Sequence, residues 1–247
     1  MARQSGVLQV QGTVGGIVFA KDGSVRQKQS SNKSQFNSSA SMQRVRENAN
    51  EFGTAAKAGK LLRDALRKVV SLASDRLMVS RLAQKMKLIL NLDEDNDRGG
   101  RQILPENLPA LVGFDFNAGS AFASTYYGGV VSALDRATGN HTISLGEMNP
   151  SRDVAAPQGA THYRVTGAVA AVNFETGTFV ATDAATGESP LTNAVRPAEV
   201  LQLARPLGAP DDALVVAVGI DFYQSVNGKL YPLNSNAYNA LSVVAVG

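Results

Sequence analysis

The chain has no cysteine and no tryptophan among its 247 residues, and just two histidines. Without cysteine, disulfides and thiolate-bound metals are excluded. Aromatic residues make up only 6% of the chain. The lack of tryptophan leaves little from which to build a sugar-stacking platform. Nowhere do about 18 consecutive apolar residues occur, so no membrane-spanning helix is expected. The start, Met1-Ala2-Arg3-Gln4-Ser5-Gly6, has no apolar run behind its one positive charge, so no secretory leader is expected. The expectation is a chain that is cytoplasmic at synthesis; if it leaves the cell, it does so by lysis, by a leaderless route, or after loss of a leader.

Positive charge is scarce in the second part of the chain. Residues 1–92 hold sixteen Lys and Arg against five Asp and Glu, a net of +11, and residues 93–247 hold eight against sixteen, a net of −8. Eight of the nine lysines precede Asp93, and Lys229 alone follows it. A basic part and an acidic part must attract, within one molecule or between copies.

What is present reads as an α+β protein: an N-terminal β hairpin and arm, a two-helix hairpin, then an antiparallel β-sandwich. Val7, Leu8, Val10, Val14, Ile17, Phe19 and Val25 alternate with polar or small residues and are punctuated by Gly12, Gly15-Gly16 and Asp22-Gly23, the last a two-residue hairpin signal. Gln27 to Ser41 is rich in Ser, Asn and Gln and reads as an extended polar arm. Val45, Ala49, Phe52, Ala55, Gly59, Leu62, Leu66 and Val69 then recur at helical spacing, with Ser39 or Ser41 as cap. A second helix, capped by Ser74, carries Leu77, Leu82, Met86 and Ile89, and the two are expected to form an antiparallel hairpin turning near Ser71–Ser74. The other faces are basic. After Asp93–Gly100 the period becomes two. Strands are expected at Leu111–Asn117, Val130–Leu134, Thr142–Leu145, His162–Phe174, Thr178–Thr182, Val200–Ala204, Ala213–Gln224, Lys229–Leu233 and Ala240–Val246. Many short strands with regular turns and no intervening helices indicate a sandwich or barrel. The expected domains are 1–41, 42–107 and 108–247.

Candidate chemistry is thin. His141 and His162 lie beside β segments, away from any nucleophile elbow or zinc-binding helix spacing, and His162 reads as a structural histidine. Asp93, Asp95 and Asp97 open like a calcium loop, but the sixth position is Arg98 where glycine is wanted and the twelfth is Leu104 where glutamate is needed. The segment therefore reads as a solvated loop ending the second helix. Gly12-Thr13-Val14-Gly15-Gly16 leads into a strand and lacks the helix N-terminus that would cradle phosphate. Carboxylates are scattered, and nothing singles out a catalytic pair. No catalytic, cofactor or metal-binding residue is assigned.

Several strings look familiar together. They are Gly12-Thr13-Val14-Gly15-Gly16-Ile17-Val18-Phe19, Arg44 to Gly53 running into Lys57–Arg63, Met78–Leu82, Ala156–Tyr163, Gly219–Gly228 and Asn236–Leu241. They resemble a family of uncharacterised bacterial hypothetical proteins of similar length. The resemblance spans nearly the whole chain and implies no activity or cofactor. It does imply that the chain is one complete unit.

The expected function is therefore non-enzymatic: a structural protein that assembles with copies of itself into a filament, tube or shell. An N-terminal β segment can add to a neighbour's sheet edge, and basic and acidic regions can join head to tail. Val14, Ile17, Phe19, Arg63, Arg67, Lys68, Arg81 and Lys85 are the candidate assembly residues. A ligand- or glycan-binding sandwich is the alternative, with Tyr126, Tyr127, Tyr163, Phe222, Tyr223, Tyr231 and Tyr238 as contacts, though these residues also suit core and hairpin packing. Binding of nucleic acid by the basic helices is a second, weaker alternative.

Overall fold

The computed structural model describes residues 2–4, 10–28, 33–204, 212–233 and 237–247. The chain forms two compact units, Met1–Arg46 and Glu47–Gly247.

In the first unit, β1 (Ala2–Arg3), β2 (Gly12–Val14), β3 (Ile17–Phe19) and β4 (Ser24–Gln27) form an antiparallel sheet in the order β1-β4-β3-β2. Strands β2 and β3 turn at Gly15-Gly16, where Gly15 has φ +59°. Strands β3 and β4 turn at Asp22-Gly23, where the Asp22 carboxylate accepts the Ser24 N–H at 3.0 Å and Gly23 takes φ +78°. The expected strand residues Val7 and Leu8 lie outside the described residues. The polar segment from Gln27 to Ser41 is not extended over its second half. Lys33–Ser38 is a short helix, α1, and Ala40–Met42 a 3₁₀ turn. Arg46 donates to the carbonyls of Phe36 (2.6 Å) and Ser39 (2.8 Å), satisfying acceptors that the end of α1 leaves open.

Helix α2 (Gln43–Ala65) begins in the first unit and continues into the second. A break at Leu66 separates it from the single turn α3 (Arg67–Val70), and α4 (Met78–Leu90) follows. Glu51 meets Lys87, and the bare Gly59 backbone lets Leu82 approach to 3.5 Å of where a Cβ would stand, so α2 and α4 run antiparallel. Ser74 does not cap α4. No side chain caps it; the Asp75 carboxylate accepts the N–H of Leu77, the residue before the helix, at 2.6 Å and pairs with Arg81. The expected apolar stripe of α2 is buried from Ala55 onward, whereas Val45 (51%) and Phe52 (60%) remain exposed.

The sheets follow the alternating pattern closely. Strands β5 (Val130–Ala133), β6 (Asn140–Leu145), β7 (His162–Asn173), β8 (Thr178–Ala185), β9 (Ser189–Pro190), β10 (Glu199–Ala204), β11 (Ala213–Val226), β12 (Lys229–Pro232) and β13 (Ala240–Val246) are all antiparallel. A six-stranded sheet runs β12-β11-β7-β8, with β13 on β11 and β9 on β7, and a three-stranded sheet runs β10-β6-β5. Asn227 (φ +52°) and Gly228 (φ +76°) turn β11 into β12, as the Asn-Gly pair predicts. The expected strand Leu111–Asn117 is instead a 3₁₀ helix, Pro105–Leu111, followed by irregular backbone. Pro109 and Gly113 (φ +81°) prevent a regular ladder, and one bridge, Asp115 to Ser242, remains.

Side chains on a strand alternate between faces. Ala168, Ala170, Val172, Val215 and Ala217 of β7 and β11 join Leu62, Leu82, Met86 and Ile89 in one core. Their neighbours Val165, Val169, Val216, Val218 and Ile220 join Ile143, Leu145, Leu201 and Leu203 of the small sheet in another. The central sheet is thus covered by helices on one face and by the three-stranded sheet on the other. This explains the near-continuous apolar runs of β7 and β11. Gly167 marks a close approach of the two sheets, since a Cβ there would overlap Ile143 Cδ1.

Candidate functional site

The N-terminal sheet is amphipathic. Cross-strand neighbours share a face, and the register places Val14 beside Ile17, and Gly12, Phe19 and Val25 in one row. Gly12, Val14, Ile17, Phe19 and Val25 therefore form one uncharged face, and Thr13, Val18 and Arg26 lie on the other. Val14 is 65% exposed, Ile17 46% exposed and Phe19 half-buried. Among the described residues, no apolar side chain before Ala55 is buried. Val14, Ile17 and Phe19 thus share one face of this sheet.

The candidate cations are scattered. Arg67 is exposed, while Arg63 and Lys85 are half-buried. Lys68 is largely in solvent and pairs with Asp183 of β8 at 2.8 Å, joining the helices to the sheet. Arg81 is a structural residue. Its guanidinium binds Asp75, donates to the carbonyls of Asp115 (2.8 Å) and Phe116 (3.1 Å), and lies 5.3 Å from the centre of the Phe114 ring. Its place on the basic face gave no sign of this, because its partners come from the irregular stretch after Leu111.

Two clefts flank α2. One of about 640 Å³ lies between Lys57, Leu61 and Asp64 of α2, Ile103, and the β7–β8 turn at Phe174 and Glu175. A second, of about 220 Å³, lies between Leu66, Lys68 and Val69 on the helical side and Phe179, Ala181 and Asp183 of β8. Sequence patterning does not predict either cleft, because each forms between segments far apart in the chain.

Half of the six tyrosines considered as ligand contacts pack inside or titrate far from neutrality. Tyr126, Tyr163 and Phe222 are buried in the core between the sheets. Burial pushes the Tyr126 hydroxyl up to about 12 and raises that of Tyr163 as well. Burial and the neighbouring Asp221 raise Tyr223. All three stay neutral near pH 7 and cannot serve as bases there. Tyr127, Tyr231 and Tyr238 are exposed.

His141 is buried, its Nδ1 accepting the Asp135 N–H at 3.2 Å, and His162 Nδ1 lies 2.9 Å from the Thr161 hydroxyl. Asp93 is not solvated. It is buried, and its carboxylate accepts the N–H groups of Asp95, Asn96 and Gln102 and the Asn96 amide. The Gln102 N–H and these partners hold its carboxyl below the usual range. Among the described residues, no three His, Asp or Glu side chains gather as a metal site would require.

The arrangement defines an α+β protein with a central antiparallel sheet covered by helices on one face and by a smaller sheet on the other, and with a separate basic N-terminal sheet. No protein-family model, curated protein or solved structure matches the chain.

Proposed function

We propose that this is a non-enzymatic structural protein that assembles with copies of itself through its N-terminal sheet. The observation that carries the reading is the apolar face on which Val14 and Ile17 are exposed beside the half-buried Phe19. Among the described residues of this 46-residue unit no apolar side chain is buried, and exposed apolar faces in soluble proteins mark contact surfaces. Charge supports the same reading. Residues 1–46 hold seven Lys and Arg against one Asp, a net of +6, whereas residues 47–247 carry a net of −3. Head-to-tail contact between unlike patches repeats from copy to copy, into rings, tubes or filaments. Negative-stain microscopy and light scattering of the purified chain test the proposal. Ordered polymers are expected from the natural sequence, and dispersed monomers from Val14→Lys/Ile17→Lys. A natural chain that stays monomeric at every concentration rejects it.

The cleft of about 640 Å³ favours a second reading as a ligand-binding protein, since its apolar floor and its rim of Lys57, Asp64 and Glu175 suit a small amphipathic molecule. A monomer whose melting temperature rises with an added ligand would favour it over assembly.

A further inference from the structure

At one end of the six-stranded sheet lies β8, which β10 approaches but does not pair with. Among the described residues, nothing pairs with the outer edge of β8, and six of its eight residues are exposed. Its ladder with β7 runs without a register shift from Thr166–Ala185 to Asn173–Thr178. Its sequence, Thr-Phe-Val-Ala-Thr-Asp-Ala-Ala, has no lysine and no proline. Natural edge strands are commonly blunted by charge, proline, a bulge or a covering segment. The far side of the sheet illustrates the usual protection. There β13 is covered by residues 113–116, with Gly113 and Phe116 donating to the carbonyls of Val243 and Leu241, both at 2.8 Å.

Resting on the assembly reading above, we propose that the β8 edge is the acceptor, and that β2 of a second copy adds to it as a further strand. Three features select this occupant. Carboxylates lie along the edge and at both its ends, at Asp183, which pairs with Lys68, at Glu175, and at Glu188, which stands 3.5 Å from Arg164, and the incoming unit is strongly basic. Next, β2 is itself an outermost strand, and among the described residues nothing pairs with its outer edge. Finally, the faces match. Phe179, Ala181 and Asp183 stand opposite Val172, Ala170 and Ala168, which belong to the helix-side core, so these β8 side chains face the helices and line the cleft of about 220 Å³. With the apolar face of the N-terminal sheet on that side, Val14 enters the cleft, while Thr13 and Arg26 face away. Backbone hydrogen bonds then supply affinity and the cleft supplies register.

Two blocked chains test this at the level of the whole protein. Val14→Lys/Ile17→Lys has a spoiled donor and an intact edge. Ala181→Lys/Ala185→Lys has an intact donor and an edge carrying bulk and charge that repel it. Both pairs alter exposed or half-exposed positions. Each chain alone is expected to run as a monomer on size-exclusion chromatography with light scattering. An equimolar mixture is expected to form a one-to-one heterodimer that grows no further. If the mixture yields no heterodimer, the β8 acceptor is rejected. If Val14→Lys/Ile17→Lys is monomeric but Ala181→Lys/Ala185→Lys still polymerises, assembly through the N-terminal sheet stands and the β8 acceptor falls. If both chains polymerise like the natural one, both proposals fall.

Discussion

Glu51 is a carboxylate with 2% of its surface exposed, on the helix face that packs against α4. It accepts Lys87 Nζ and the Gly99 N–H, the latter at 2.8 Å, and Arg101 stands 4.0 Å away. Burial pushes its carboxyl up, but Lys87 and the Gly99 N–H outweigh that and hold it below the usual range. Asp75 behaves alike: burial opposes ionisation, and the Ala118 N–H, Arg81 and the Leu77 N–H overcome it. Carboxyl groups with a lower pKa in the folded than in the unfolded chain contribute stability that is present above the ordinary value of about 4 and lost as pH falls through the folded values. Thermal melts from pH 7 to pH 3 should therefore show a midpoint that holds near neutrality and drops in the acid range. Glu51→Ala should flatten part of that drop. It should also cost about 1–2 kcal/mol in urea unfolding at pH 7, because it leaves the Lys87 ammonium and the Gly99 N–H without their acceptor.

At the scale of elements, two close contacts hold the layers in place. Gly167 of β7 lets Ile143 of β6 rest directly on the central sheet. Gly167→Val should destabilise the protein by about 1–3 kcal/mol through overpacking, with no change in exposed surface chemistry. Ile143→Ala combined with it should restore part of the loss in a double-mutant comparison. The second contact is β13, held by β11 on one side and by residues 113–116 on the other, with Ala240, Leu241, Ser242 and Val243 buried. Removing residues 241–247 takes core side chains from one layer and bares the edge of β11. Expression of this truncation should yield insoluble protein, and a soluble form with a cooperative melt would contradict the account.

Over the whole molecule, the proposed assembly predicts a dependence on the charge division. The Debye length falls from about 10 Å at 0.1 M salt to about 3 Å at 1 M. Assembly driven partly by a +6 unit meeting a −3 body should start more slowly in 1 M salt. Its final extent should fall less, because apolar contact is not screened. Each exposed pair is worth only about 0–1 kcal/mol, so reversal of one cation should be nearly silent. The set Arg63→Glu, Arg67→Glu, Lys68→Glu and Lys85→Glu should change the rate of turbidity growth measurably if the helices take part in the contact. Arg81 does not belong in that set, because its guanidinium ties Asp75 to the Asp115 and Phe116 carbonyls and its reversal would test folding instead.

Local chemistry alone determined most of the elements. Alternation over His162–Asn173 and Ala213–Val226, the Asn227-Gly228 turn and the three-to-four spacing of Ala55, Leu62 and Leu66 act within a few residues of chain, so they are legible without knowing the fold. The short N-terminal strands were legible for the same reason, from the alternation of Val14, Ile17 and Phe19 and from the Gly15-Gly16 and Asp22-Gly23 turns. Other features depended on partners brought from far along the sequence, and only the tertiary structure decided them. Arg81 meets carbonyls 34 and 35 residues away, and Asn117 reaches the Asn239 carbonyl across 122 residues. The open edge of β8 is of this kind too. Thr178–Ala185 reads as a strand from its own residues, but whether a strand is central or outermost depends on every other strand in the sheet, and that ordering is settled by packing both faces of β7 and β11 at once.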